Sequence, residues 1–273
     1  MSADLRETPY TFGEDCRLFG ILTRPGVVNA DRPVIVIPNT GIEHRVGPNR
    51  LHVQLARALA ASGFCVFRFD ISGLGDSDPP RGKSANASDD LKLALDSLGT
   101  RVTGAGFVLV GLCSGAHDIH QFGRDDPRVR GLLFIDGYTY STPHFQRLLW
   151  TARLTHIGRS FRKLFAKLGE KLKPPTEDAP QGVDTDFVVW PPKAETQADY
   201  ERMLARGVAL GFVFTGDTQW AYLYTDQHID AFPLLRGKAQ VWFLPHIDHT
   251  LTRRKAREEL IALVRHWLQG LSG

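Results

Sequence analysis

Short apolar runs alternate along the chain with stretches whose apolar residues recur every three or four positions. Arg17-Leu18-Phe19-Gly20-Ile21-Leu22-Thr23 partly alternates and ends at the turn signal Pro25-Gly26. Pro33-Val34-Ile35-Val36-Ile37 is a continuous β-branched run, the pattern of a strand covered on both faces. Leu51, Leu55 and Leu59 follow at helical spacing. Residues 64–70 predict the next strand. Leu91, Leu93, Leu95 and Leu98, preceded by Ser88-Asp89-Asp90, predict a capped helix. Residues 107–112 and 129–135 read as buried strands, the second ending at Asp136. The rhythm then stops. Leu154, Ile157, Phe161, Leu164, Phe165, Leu168 and Leu172 predict an amphipathic helix, which Pro174-Pro175 ends. Residues 180–192 are irregular. Strands resume at 208–214 and 241–244, and a helix over 254–268 closes the chain.

Strands alternating with helices predict an α/β fold: a mainly parallel twisted sheet with helices on both faces. The interruption divides the chain into a core, 1–141 and 206–273, and an inserted helical lid, 142–205. Lids close over active sites and exclude water. With 273 residues, 42% of them hydrophobic, the chain can bury a large core without disulfides. Its three cysteines, Cys16, Cys65 and Cys113, have no C-x-x-C spacing, which argues against a disulfide framework and a zinc site. Cys65, inside Phe64-Cys65-Val66-Phe67, reads as a core thiol. Residues 1–10 lack the basic-then-apolar order of a signal peptide. No window approaches the roughly 18 apolar residues of a membrane span. A cytoplasmic location is the expectation, and it would keep a thiol reduced. A net charge of +3 does not point to nucleic acid.

The stretch Phe107-Val108-Leu109-Val110-Gly111-Leu112-Cys113-Ser114-Gly115-Ala116 carries the chemistry. It reads as a strand, a very tight turn and the start of a helix. A strained turn that projects a nucleophile needs small residues two places before and two after it. Gly111 and Gly115 meet that need for Cys113. Ser114 fails it, because Leu112 and Ala116 stand at the same distances. A helix N-terminus favours negative charge, so Cys113 lies where a thiolate is supported.

The chain resembles the α/β-hydrolase superfamily over nearly its whole length. The matching stretches are His44-Arg45-Val46-Gly47-Pro48-Asn49-Arg50, Arg68-Phe69-Asp70-Ile71-Ser72-Gly73-Leu74-Gly75-Asp76-Ser77, Gly111-Leu112-Cys113-Ser114-Gly115 and Asp248-His249-Thr250. It is similar to the serine aminopeptidase-like branch, including hydrolases found beside exosortase and natural-product gene clusters. It departs from the usual pattern in having cysteine at the nucleophile, as the dienelactone hydrolases do. The resemblance implies a triad in the order nucleophile, acid, histidine. His249 is then the base, with His246 as its competitor. The acid falls at Asp217, just after the strand ending Val213-Phe214-Thr215-Gly216. Asp136 is the alternative, and chain order favours Asp217. The oxyanion donors are the backbone N–H groups of Ser114 and, by alignment with the H-G-x-G pattern, Thr40; Gly41 stays open. His44, Arg45 and Arg50 either contact a polar part of the substrate or simply form a surface loop.

These residues predict an acyl hydrolase working through an acyl-Cys113 intermediate. An acyl-cysteine is itself a thioester, so thioesters and activated esters are the expected donors. Transfer to an alcohol or amine is the alternative within enzymes, and a non-catalytic ligand-binding protein the alternative outside them. Between residues 147 and 173, Arg147, Arg153, Arg159, Arg162, Lys163, Lys167, Lys171 and Lys173 oppose only Glu170. A basic face of that kind suits an acyl carrier protein, a coenzyme A phosphate or an acidic membrane, or it is a solvated helix face. No cofactor is expected. Gly73-Leu74-Gly75-Asp76-Ser77-Asp78 is not G-x-G-x-x-G, and His246-Ile247-Asp248-His249 lacks the context of a metal site.

Overall fold

A computed structural model describes residues 5–80, 86–151, 190–216 and 221–271. Among them eight strands form one sheet: β1 (Arg6–Phe12), β2 (Leu18–Arg24), β3 (Val34–Pro38), β4 (Val66–Phe69), β5 (Phe107–Leu112), β6 (Val129–Ile135), β7 (Ala209–Thr215) and β8 (Ala239–Leu244), in the order β1-β2-β4-β3-β5-β6-β7-β8. The six strands from β4 to β8 run parallel, and β1 and β2 add an antiparallel edge. Helices α1 (Leu51–Ala61), α2 (Ala87–Gly99), α3 (Ser114–Gly123), α4 (residues 143–151), α5 (Lys193–Ala205), α6 (Gln227–Ala231) and α7 (Arg254–Gly270) connect or follow the strands.

The continuous apolar run in β3 explains itself in the packing. Ile35 and Ile37 join the cluster under α1 and α7, with Leu55, Leu59, Leu260 and Val264. Val34 and Val36 join the opposite cluster, under α2, α3 and α5, with Leu91, Leu95, Ile119 and Tyr200. Each face of the sheet therefore has its own helical layer, as period-two alternation within a doubly covered strand requires.

Two elements differ from the sequence reading. β1 falls within the polar N-terminal stretch. Its Thr8-x-Tyr10-x-Phe12 alternation turns Tyr10 onto Phe67, the rings stacked 5.1 Å apart, and buries Phe12. Pro9 is tolerated because β1 is an edge strand. The cap of α2 is Asn86, whose side chain accepts from Ser88 N. Asp90 instead lies buried, taking hydrogen bonds from Ser72 N and Ser72 Oγ, both at 2.7 Å, and pairing with Arg17.

The insertion between β6 and β7 has described ends. Tyr140 Oη donates to Pro191 O at 2.8 Å, joining its two stems. Residues 152–189 lie outside the described residues, and with them the expected amphipathic helix and seven of the eight basic residues between 147 and 173. Lys193–Ala205, expected within the lid, covers the sheet: Tyr200 and Met203 enter the core, and buried Asp199 takes hydrogen bonds from Arg124, just after α3, at 3.0 Å and from Arg202 at 2.5 Å. No helix among the described residues is long and apolar enough to cross a membrane.

Candidate active site

β5 ends at Leu112 and α3 starts at Ser114, so Cys113 alone makes the turn. Its φ of 56° and ψ of −116° form a backbone state that L-residues rarely adopt, held because its surroundings over-determine it. Cys113 N–H donates to Ile135 O at 2.9 Å, and Cys113 O accepts from Ala116 N at 3.0 Å. A Cβ on Gly111 would collide with the Gly115 carbonyl, and one on Gly115 would stand 3.0 Å from Asn39 O. Space therefore demands glycine at 111 and leaves a tight fit for anything larger at 115. The turn leaves Cys113 exposed at the C-terminal edge of the sheet.

His249 lies in the loop between β8 and α7, which Ile247 and Leu251 anchor in the core at 1% and 0% exposure. Its Nδ1 meets Asp136 Oδ2 at 2.7 Å. Asp136, at the end of β6, also accepts from Thr215 N at 2.7 Å and Thr215 Oγ1 at 2.8 Å. Its side chain is 1% exposed. Chain order favours Asp217 as the histidine's carboxylate; the partner found is Asp136, and Asp217 lies outside the described residues. The reason is local. Asp136 takes a positive φ of 49°, and Thr215, one strand over, fixes both of its oxygens. His246, the competing histidine, points away and pairs with Glu259 of α7 at 2.9 Å.

The hydrogen bond to Asp136 and, next, one to Cys113 raise the His249 pKa to about 10, against the opposing effect of burial. The imidazole thus sits between the thiol and the buried carboxylate and keeps its proton at neutral pH. The backbone repeats this alignment. Cys113 N bonds Ile135 O, Asp136 N bonds Val213 O at 2.8 Å, and Gly216 N bonds Ile247 O at 2.8 Å. One line of amides thereby crosses from the elbow to the histidine loop. A Cβ on Gly216 would strike the Pro245 carbonyl, so that glycine lets the histidine loop lie directly on the end of β7.

After β3, Thr40–Glu43 forms a tight turn closed by Glu43 N to Thr40 O at 2.9 Å. Asn39, 1% exposed, braces it: Nδ2 donates to Gly41 O at 3.3 Å and Glu43 O at 3.1 Å, and Oδ1 accepts from Ile71 N at 3.0 Å. Gly41 N–H donates to Ser114 Oγ at 2.6 Å. That bond occupies Gly41 and leaves Thr40 as the loop's candidate oxyanion donor beside Ser114 N–H.

Arg45 is not set towards a substrate. It pairs with fully buried Asp70, bridges to Asp76 at 2.5 Å and stacks on Phe19 at 4.3 Å. Asn49 Nδ2 donates to Thr250 O at 2.9 Å, tying the same loop to the histidine loop. Sequence reasoning missed the Ser114 hydroxyl, the Asn39 brace and Gly216. Only Gly216, a glycine directly after a strand, carried a readable signal. Among the described residues no group of three or more His, Cys, Asp or Glu is arranged to hold a metal ion.

A mostly parallel eight-stranded sheet with a strained elbow after β5 and a histidine after the last strand defines an α/β-hydrolase fold. The alpha/beta hydrolase family matches residues 44–267, and the chain belongs to that family. No curated protein sequence matches the chain. Among solved structures, the esterase domain of a Rhodothermus marinus protein is similar at 16% identity and TM-score 0.59, covering 99% of this chain and 100% of that one. A Pyrococcus furiosus esterase is similar at 14% identity and TM-score 0.59, covering 100% and 92%. A lidless α/β serine hydrolase of Xanthomonas campestris is similar at 14% identity and TM-score 0.54, covering 97% and 94%.

Proposed function

We propose that the protein is an acyl hydrolase that works through a covalent acyl-Cys113 intermediate on thioesters or activated esters. The observation that carries this reading is His249 standing between Cys113 and the buried carboxylate of Asp136, 2.7 Å from Nδ1. Esterases among the structural neighbours share the fold and support acyl chemistry.

In the first step Cys113 Sγ attacks the acyl carbonyl carbon. A C–S bond forms, and the carbonyl electron pair moves to oxygen. The amides of Thr40 and Ser114 stabilise that oxyanion. Collapse breaks the bond to the leaving group, which takes the proton that His249 holds. A water molecule then attacks the acyl-Cys113 carbonyl, His249 removes its proton, and the acid leaves as the C–S bond breaks. Asp136 fixes the tautomer and supports the imidazolium throughout. Exchange of one thioester for another is nearly balanced in free energy, whereas making acyl-cysteine from a plain ester or amide is uphill. The donor class follows from that difference. The excess of eight basic residues over one acidic residue between 147 and 173 favours a substrate carried on an acyl carrier protein or coenzyme A.

Incubation with S-phenyl thiobutyrate and with p-nitrophenyl butyrate, followed by intact and peptide mass analysis, tests the reading. Turnover with a butyryl mass on Cys113, and none in Cys113→Ala, is the expected result. Turnover retained in Cys113→Ala would overturn the nucleophile. Absence of both turnover and adduct would favour a ligand-binding protein.

A further inference from the structure

We propose that the Ser114 side chain is a positioning residue: its hydroxyl sets the Thr40 amide against Cys113 and so aligns the oxyanion hole. The inference rests on Cys113 as nucleophile and goes beyond the backbone role of Ser114. Its basis is the bond from Gly41 N–H to Ser114 Oγ, 2.6 Å long and spanning 73 residues of sequence.

The two halves of an oxyanion hole come from different parts of the chain, so something must hold them in register. Here one half, Ser114 N–H, is rigid because it begins α3 directly after the elbow. The other half lies on the Thr40–Glu43 turn. Asn39 braces that turn from behind, towards Ile71, and closes it on itself. Neither contact reaches the elbow. Among the described residues Thr40 Oγ1 is buried without a hydrogen-bond partner, so the Thr40 side chain does not hold the turn to any of them either. Gly41 has a φ of +51° and open space around a Cβ, so its glycine serves the backbone turn rather than close packing. The polar link from the tip of this turn to the elbow is the Ser114 hydroxyl. Because it binds the Gly41 N–H, it fixes the Thr40–Gly41 peptide plane and so limits how far the adjoining Asn39–Thr40 plane, which carries the Thr40 N–H, can turn. It also keeps the Gly41 amide from turning into the site.

A misplacement of about 1 Å in a reacting group costs up to about 10²-fold in rate. Ser114→Ala should therefore lower the rate of Cys113 acylation by S-phenyl thiobutyrate by about 10- to 100-fold, with KM changed less than about twofold. Alkylation of Cys113 by iodoacetamide forms no oxyanion, so its rate should stay within about twofold of the native protein. Ser114→Thr keeps the hydroxyl and should restore most of the acylation rate. Acylation in Ser114→Ala at the native rate would overturn the proposal. So would an equal fall in alkylation, which marks general damage to the elbow, or a failure of Ser114→Thr to rescue. Peptide mass analysis separates the two levels of the argument. A butyryl group on Cys113 with Ser114→Ala unimpaired sinks the positioning role alone. A butyryl group on Ser114 sinks the reaction and the positioning role together.

Discussion

Asp136 holds three hydrogen bonds on two oxygens, and one of them orients His249. Free imidazole titrates at about 6.5. In the folded protein the value is raised to about 10, so the native state keeps a proton that the unfolded chain releases in between. The sign follows: the group's contribution to stability is complete below about 6.5 and is lost as pH rises through about 10. Asp136→Asn removes the largest cause of the shift. The His249 titration midpoint, followed by NMR of labelled histidine, should move down towards the free value. The maximal rate should fall by about 10⁴-fold, as when a triad aspartate is amidated. Asp217→Asn should cost far less; a larger loss there would return the acid to the position that chain order favours.

At the level of elements, the parallel strands deliver each group by its end, and glycines decide how closely the loops approach. Gly216→Ala should lift the histidine loop off β7, because its Cβ meets the Pro245 carbonyl. The expected result is a loss of about 10²-fold in maximal rate, with near-native secondary structure by circular dichroism. Unchanged kinetics would mean that the loop has another anchor. The elements themselves were readable. Val34-Ile35-Val36-Ile37, the Leu51-Leu55-Leu59 spacing and the Gly111/Gly115 flanks each have one local physical reading, and each occupies the expected place. The carboxylate that meets His249 was not readable from chain order. Asp136 and Asp217 both follow strands, and only the pairing of β6 with β7 brings Thr215 to the Asp136 carboxylate. The Ser114 contact was hidden for the same reason, since it joins residues 73 positions apart. The role of Arg45 was undecided from sequence because Asp70, its buried partner, reads as merely the polar end of a strand.

Over the whole molecule, charge is unevenly shared. The total is +3, and residues 147–173 alone carry eight basic residues against one acidic, so the rest of the chain is net negative. Reversing Arg162, Lys163 and Lys167 to glutamate should weaken use of a carrier- or coenzyme-bound thioester and spare a small neutral one. Added salt should act alike, since exposed charges are screened within about 8 Å at physiological ionic strength. Equal losses on both substrates would mark simple damage. The line of amides from Cys113 through Asp136 and Gly216 has a different consequence. Cys113, Asp136 and the loop that carries His249 are tied to interior strands, so none of them can loosen without opening the sheet. In deuterated water the Cys113, Asp136 and Gly216 amides should exchange together, and only through global unfolding. Exchange faster than that of the β5 core amides would break the link. If it holds, heating should not produce a folded but inactive intermediate: catalysis and the native fold should vanish at the same temperature.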